Sequence, residues 1–367
     1  MILNKANILK VLSNIYLKKI TPISLIHFIT NRCNARCSFC FIDFNNPNTF
    51  KNELTLSEIN KMTLHMPNTL LNINFTGGEP FAKKEIVEIA QSYLRNTTIQ
   101  SIYITTNASL PDRILDFAKK ISKFDEEVEI NFQISIDNLP DLHDKNRKIK
   151  NLFNNCIESY NVLKNLKNPK ITPTVNITVS EDNCDNIKDV FNYLLNKTNI
   201  NSIKCCIVRD EGVYKTPYEK KKKIYQAYEW LTENIKAKKK EGIIKNYSDT
   251  LQGKIHNQKD NISWDMVKKT YLTNNYLSPC HASSLFGVIT AKGDVYPCEI
   301  LENKLIGNLR DYEMNFLKLW DNKNNKEIRD FIKKTKCRCT YECALSFNIL
   351  GNFRYQYKLL KSFISKY

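Results

Sequence analysis

Cys33, Cys37 and Cys40 stand in the run Cys33-Asn34-Ala35-Arg36-Cys37-Ser38-Phe39-Cys40, which carries three thiols on one short loop toward a single metal centre. A cubane iron–sulfur cluster has four corners to ligate and takes Cys thiolates, so three local cysteines leave one iron open to another molecule. An open iron is a catalytic position. Zinc would instead close its tetrahedron with a fourth protein ligand, and none follows at zinc-finger spacing, the next His or Cys being His65.

A second group of cysteines lies near the C-terminus. Cys280 and Cys298 bracket residues 286–297, which read as a β-hairpin turned at Lys292-Gly293-Asp294, and Cys337, Cys339 and Cys343 follow. These thiols suit a second iron–sulfur cluster or a structural zinc, since thiolate-rich sites hold both metals. Between the two groups, Thr76-Gly77-Gly78-Glu79-Pro80 puts glycines where backbone can approach a ligand with no Cβ in the way, and sets the Glu79 carboxylate beside them. Cys205 and Cys206 adjoin, so strand alternation turns one inward and one outward. An inward thiol could donate a hydrogen atom; two small buried residues are the plainer reading.

These groups need a frame. From residue 23 to residue 209, short runs rich in Val, Ile, Thr and Phe alternate with helical patterns such as 84–94, the signature of βα units around a parallel sheet. Six strands are predicted, over 24–29, 72–75, 101–105, 129–136, 171–178 and 202–208. Open α/β barrels keep their chemistry at the C-terminal strand ends. The first cysteine run follows strand one, Thr76–Pro80 ends strand two, Thr105-Thr106-Asn107 ends strand three and Ser135-Ile136-Asp137 ends strand four, with His143, Asp144 and Arg147 just beyond. A Lys-rich stretch to about residue 273 comes next, where Ile224, Tyr228, Leu231 and Ile235 recur at helical spacing as a packing face.

The Cys-x3-Cys-x2-Cys run with Phe39 before its last cysteine, followed one βα unit later by Gly77-Gly78-Glu79-Pro80, resembles the radical S-adenosylmethionine (SAM) superfamily. The resemblance implies an α/β fold, a partial (β/α)6 TIM-like barrel, with a 4Fe–4S cluster on Cys33, Cys37 and Cys40 whose open iron is chelated by SAM. It implies reductive cleavage of SAM to methionine and a 5′-deoxyadenosyl radical, which takes a hydrogen atom from the substrate. It further implies that Phe39, Gly77, Gly78, Glu79, Pro80, Asn107, Ser135, Asp137 and Arg147 contact SAM, Glu79 near its amino group, Ser135 and Asp137 near its ribose, Arg147 at its carboxylate or ribose. Lys148 stands where the family often has glycine. The C-terminal region, with Gly293 and Cys298 in a Gly-x4-Cys setting and Gly307-Asn308-Leu309 after it, is similar to the small α+β SPASM or shorter twitch extension, which holds an auxiliary 4Fe–4S cluster. A full SPASM region has cysteines for two clusters; the five here imply one, on Cys280, Cys298, Cys339 and Cys343, with Cys337 an alternative ligand or a neighbouring thiol.

With 367 residues, 42% of them hydrophobic, the chain can bury one large core and a smaller one. The expected division is an N-terminal helical extension over 1–21, the core over 22–209, a helical connecting segment over 210–275 and the auxiliary cluster domain over 276–367. No run approaches the roughly 18 consecutive apolar residues of a membrane span, and residues 1–19 have no signal-like apolar block, so the cytoplasm is the expected location. The formal charge of +17 would attract RNA or an acidic membrane, but Lys, Asn and Ile are abundant along the whole chain and the Lys runs read as solvated helix faces, so no nucleic-acid partner is expected. The tail from Phe353, with Tyr355, Tyr357, Leu359, Leu360 and Phe363 among lysines, is expected to dock on the domain, membrane contact being the alternative. The expected partners are an electron donor such as flavodoxin or ferredoxin and a substrate that is a carbohydrate or small polar metabolite. Peptide maturation is the alternative, and a non-catalytic iron–sulfur or zinc binding protein is the reading from a different class.

Overall fold

The computed structural model describes residues 8–210, 212–247 and 250–364; residues 1–7 of the N-terminal extension, and the side chains of Leu360 and Phe363, lie outside the described residues. Six parallel strands carry the core: β1 (Ser24–Thr30), β2 (Asn72–Gly77), β3 (Ser101–Thr106), β4 (Glu129–Ser135), β5 (Ile171–Val179) and β6 (Ile203–Ile207). Each starts within one residue and ends within two of its predicted bounds.

One face of every strand is apolar. Leu25, Ile73, Phe75, Ile102, Ile104, Ile130, Phe132, Val175 and Ile177 are buried against the helices that return the chain between strands. The other face is polar. Ser24, Asn72, Ser101 and Glu129 stand side by side in register, and the Ser24 hydroxyl donates to Asn72 Oδ1 at 2.7 Å while Asn72 Nδ2 donates to Ser101 Oγ at 3.0 Å. Higher on the same face come Asn74, Tyr103, Gln133, Asn176, Lys204 and Cys206, and all of them line one cavity of about 730 Å³. Because residues of β1 and β6 meet on this one cavity, the sheet must curl around it, and the core is a partial barrel with a hollow, polar centre.

The hairpin is present as expected, with β7 (Phe286–Ile289) antiparallel to β8 (Asp294–Tyr296) and Gly293 at φ +87° in the turn. Its placement was not foreseen. β7 pairs in parallel with β1, and β9 (Gly307–Asn308) pairs with β8, so the sheet runs on to nine strands in the order β6-β5-β4-β3-β2-β1-β7-β8-β9. The physical reason is the open edge of β1, whose unpaired backbone groups the hairpin satisfies. Gly287 fits because a Cβ there would lie 2.6 Å from Cη2 of buried Trp320.

Two long helices complete the body. In the helix Lys221–Lys240, Ile224, Tyr228, Leu231 and Ile235 are buried as their spacing predicts. The helix Leu251–Thr273 turns Ile255, His256, Lys259, Asp260 and Ser263 into the cavity and forms a wall of it. Its polar residues face inward, which is why hydropathy alone does not mark it. In the C-terminal helix Phe353–Ile364, Tyr355 and Leu359 are buried, Tyr357 is exposed, and Phe353 stacks on Tyr16 at 5.3 Å. No helix among the described residues is long and apolar enough to cross a membrane.

His27 sits on the apolar face of β1, fully buried between Phe75 and Tyr93, with Nδ1 3.0 Å from the Tyr93 hydroxyl and Nε2 without a hydrogen-bond partner among the described residues. Burial lowers its pKa to about 3. The unfolded chain therefore takes up a proton near pH 6.5 that the folded chain refuses, so this contribution to stability is complete above pH 6.5 and declines toward pH 3. At pH 5 the loss is about 2 kcal/mol. Urea titrations of His27→Phe should show an acid limb shallower by that amount; an unchanged limb would place the sensitivity in other groups.

Candidate functional site

The loop after β1 holds Cys33, Cys37 and Cys40, and it is folded by its own backbone: Cys40 N–H donates to Cys37 O at 3.2 Å, Ala35 N–H to Cys33 Sγ at 3.3 Å, and Arg36 Nη1 to Cys33 O at 2.8 Å. Cys37 and Cys40 lie close enough to Cys33 to raise its pKa, and Cys37 does the same to Cys40, with burial the larger cause; it pushes Cys33 up to about 11. All twelve cysteines are free. Among the described residues no three His, Cys, Asp or Glu side chains close around a single bare ion. What fits a cluster is the donor chemistry, three partly buried thiols on one loop at the C-terminal end of a barrel strand.

The Gly77-Gly78 turn is pressed against the start of that loop. Gly78 N–H donates to Thr30 O and Glu79 N–H to Arg32 O, both at 2.8 Å. Gly77 has φ +136°, and a Cβ on either glycine would fall 2.1 to 2.2 Å from a carbonyl oxygen of Thr30 or Arg32. Only glycine permits this approach. Glu79 is buried and spends its acceptors locally: Oε1 takes the Thr106 hydroxyl at 2.7 Å and Phe81 N–H at 3.0 Å, and Oε2 takes Asn107 N–H at 2.7 Å. It ties the ends of β2 and β3 together. Pro80 opens a short 3-10 turn after it. Asn107 Nδ2 reaches Asn34 Oδ1 at 2.9 Å and Cys33 Sγ at 3.8 Å, so the β3 end touches the cysteine loop directly.

Asp137 and Arg147, expected beside a ribose and a carboxylate, are placed against each other. Arg147 Nε donates to Asp137 Oδ2 at 2.9 Å, Asp137 Oδ1 accepts Thr178 N–H at 2.8 Å, and both side chains are buried. Arg147 also lies 5.8 Å over the Phe39 ring, and its carbonyl accepts Arg36 N–H. Burial pushes the Cys37 thiol up, and the Arg147 guanidinium partly offsets that. Ser135, nearly buried, offers its carbonyl to Cys156 Sγ at 3.8 Å. His143 is a buried helix residue whose Nδ1 accepts Asp137 N–H at 3.3 Å. Lys148, in place of the family's glycine, caps that helix at φ 56°, a left-handed conformation that explains the preference.

Near the C-terminus, the thiols of Cys280 and Cys337 lie close enough to perturb each other, which lowers Cys337 and raises Cys280. Cys298 and Cys339 act electrostatically on each other and on Cys337, and burial pushes both up to about 12. The structure therefore gathers Cys280, Cys298, Cys337 and Cys339. Cys343, preferred over Cys337 in the sequence reading, faces the cavity beside Arg209, Glu299 and Tyr341. Cys206 turns into the cavity, with Asn176 Nδ2 at 3.4 Å and Thr178 Oγ1 at 3.6 Å, while Cys205 is buried in the core.

Sequence reasoning missed the polar lining of the barrel and the charged group Lys204, Tyr247, Lys259 and Asp260 within it. The signal was available in the strands. Runs such as Asn72-Ile73-Asn74-Phe75-Thr76 alternate, whereas strands buried on both faces read as continuous apolar runs.

Residues 28–194 match the Radical SAM superfamily, and residues 280–344 match SPASM, an iron–sulfur cluster-binding domain. The chain is 31% identical over 189 residues to the sporulation killing factor maturation protein SkfB of Bacillus subtilis, a match over 48% of this chain and 40% of that protein. It is 32% identical over 113 residues to the GTP 3′,8-cyclase of Pasteurella multocida, over 30% of this chain and 32% of that one. The chain thus spans less than half the length of these relatives. Its fold is similar to anSMEcpe solved with bound AdoMet, at 19% identity and a TM-score of 0.60 over 86% of each chain. It is also similar to Streptococcus suis SuiB bound to S-adenosylmethionine, at 16% identity and a TM-score of 0.58 over 88% of this chain and 71% of that one. Domains of these two kinds bring 4Fe–4S clusters and SAM as cofactors.

The buried Asp137–Arg147 pair carries a definite cost if broken. Asp137→Asn leaves the guanidinium buried without its counter-charge, and guanidinium unfolding should register a loss of about 3–5 kcal/mol. A loss under about 1 kcal/mol would mean the pair is solvated and does not hold the cysteine loop.

Proposed function

Because the chain belongs to the radical SAM superfamily and ends in a SPASM domain, we propose that it is an enzyme that abstracts a hydrogen atom from a peptide and so matures it. The observation that carries the peptide reading is the company the chain keeps: its match to a peptide-maturation protein, SkfB, and its fold likeness to SuiB, which has been solved with its precursor peptide SuiA. A carbohydrate or other small polar metabolite is the second reading, supported by a cavity of about 730 Å³ with a polar lining, a size ordinary for small-molecule sites.

In this reading Cys33, Cys37 and Cys40 hold the first cluster, and four of Cys280, Cys298, Cys337, Cys339 and Cys343 hold the second. When bound, the first cluster supplies the electron that splits SAM into methionine and the 5′-deoxyadenosyl radical. The chain's own residues do the rest. Gly77 and Gly78 keep the β2 end close to the cysteine loop and leave backbone bare for a ligand. Glu79 holds the β2 and β3 ends in register, so its role toward an ammonium is to shape the surface and add negative charge. Arg147, fixed by Asp137 and stacked near Phe39, places a permanent positive charge beside Cys37. Ser135, Asn107 and Pro80 complete the rim, and the barrel walls exclude water from reactive species. The division into core 22–209, connecting helices 210–275 and cluster region from 276 belongs to this proposal, with the helix Leu251–Thr273 serving as cavity wall. An acidic electron donor such as flavodoxin or ferredoxin suits a chain of charge +17.

Anaerobically reconstituted, reduced protein should turn SAM into 5′-deoxyadenosine, and Cys33→Ala, Cys37→Ala or Cys40→Ala should each abolish it. The same variants should lower iron from about eight to about four atoms per chain. Wild-type protein with full iron that leaves SAM intact would overturn the enzyme reading. Among substrates, the yield should rise with short peptides encoded beside the gene; a rise with sugars alone would favour the second reading.

A further inference from the structure

The cavity has a charged end that the steps above do not use. Lys204 on β6 donates to the Tyr247 hydroxyl at 2.5 Å and lies 3.7 Å from Asp260, and Tyr247 donates to Asp260 at 3.0 Å. Lys259, beside Asp260 on the helix Leu251–Thr273, lines the same space, and among the described residues no hydrogen bond or ion pair holds its ammonium. Lys239 lies behind them over the Trp264 ring, 4.7 Å from its centroid, its buried Nζ also without a hydrogen-bond partner. All three ammonium groups act on the one carboxylate of Asp260.

Of the other lining charges, Glu129 has no ion pair among the described residues and acts with Asp260 on Tyr103, while four are committed elsewhere. Arg209 is paired with Glu299, Glu127 with Lys170 at 3.4 Å, and Glu342 accepts Ile207 N–H and the Tyr228 hydroxyl. Three neutral groups of the lining, Ser263 Oγ, His256 Nδ1 and Gln100 Nε2, are buried without partners. Unpartnered buried donors beside excess positive charge are costly unless a ligand accepts from them.

We propose that this end of the cavity binds a carboxylate group of the substrate between Lys204 and Lys259, with unpartnered neutral donors beside it. One negative charge suits it better than a phosphate dianion, because Lys204, Lys259 and Lys239 stand against two carboxylates, Asp260 and Glu129, which leaves one positive charge to balance. The proposal deepens the reading of the cavity as the substrate chamber and rests on it. It also orients the substrate. Lys204 precedes Cys206 by two residues, about 7 Å along the strand, and Cys206 is level with Thr178, which bonds Asp137 at the SAM end. A carboxylate anchored at the lysines leaves the rest of the substrate pointing toward the cysteine loop.

The test is anaerobic calorimetry on cluster-loaded, SAM-bound full-length protein with four probes: N-acetylglutamate α-amide, N-acetylglycine, the neutral N-acetylglutamine amide and inorganic phosphate. One of the two carboxylates should bind at least tenfold more tightly than the neutral amide. A preference for the first identifies an acidic side chain as the anchor, and for the second a chain-end carboxylate. Lys259→Gln should weaken that binding tenfold or more, and Lys259→Arg should restore it. Equal binding of the neutral amide, preference for phosphate, indifference to Lys259→Gln, or no binding by folded wild type would each overturn the proposal. The last would mean that carboxylates within the protein, Asp260 first among them, already balance the lysines. The wild-type comparison needs no variant to fold, and 5′-deoxyadenosine measured in parallel without probes reports separately on the enzyme reading.

Discussion

A parallel sheet with polar side chains along one face cannot be packed dry. Ser24, Asn72, Asn74, Ser101, Gln133, Asn176 and Lys204 would each be stranded against a helix layer, at a cost of about 1–3 kcal/mol per unpaired group. Instead they bond sideways to one another, as Ser24, Asn72 and Ser101 do, and face open space. The hollow therefore follows from the strand composition, and so does the curl of the sheet. The apolar face pulls the helices onto the outside, with Phe75, Ile104, Phe132 and Ile177 as the buried layer.

The rim of the hollow is stiff for a different reason. Backbone meets backbone where the Gly77-Gly78 turn rests on Thr30 and Arg32, and a carboxylate with three donors, Glu79, locks that turn to the next strand end. The Asp137–Arg147 pair adds orientation more than stability, because taking two charges out of water offsets much of their attraction. Such a rim holds the cysteine loop in one position while the far end of the cavity, walled by the helix Leu251–Thr273, differs in chemistry and charge.

Local patterns were legible from the residues. The six strands, the hairpin at Gly293 and the packing face of Ile224, Tyr228, Leu231 and Ile235 all depend on neighbours a few positions away, and spacing reports those directly. Long-range partners were not. Nothing in the spacing says that β7 docks on β1, that Asp137 takes Arg147 for itself, or that Cys337 joins Cys280 while Cys343 turns toward Arg209. Lys148 sits between these cases, since its position after Arg147 suggested a glycine-like site and only the left-handed cap at φ 56° gave the reason.

The sequence alone determined the chemistry and the class of fold, because a Cys-x3-Cys-x2-Cys loop, a glycine pair at a strand end and alternating βα units are encoded in contiguous residues. The tertiary structure alone decided which charges meet. Lys204, Tyr247 and Asp260 come from a strand, a loop and a helix spread over more than fifty residues, and they become one group only because the curled sheet and the helix across it enclose the same space.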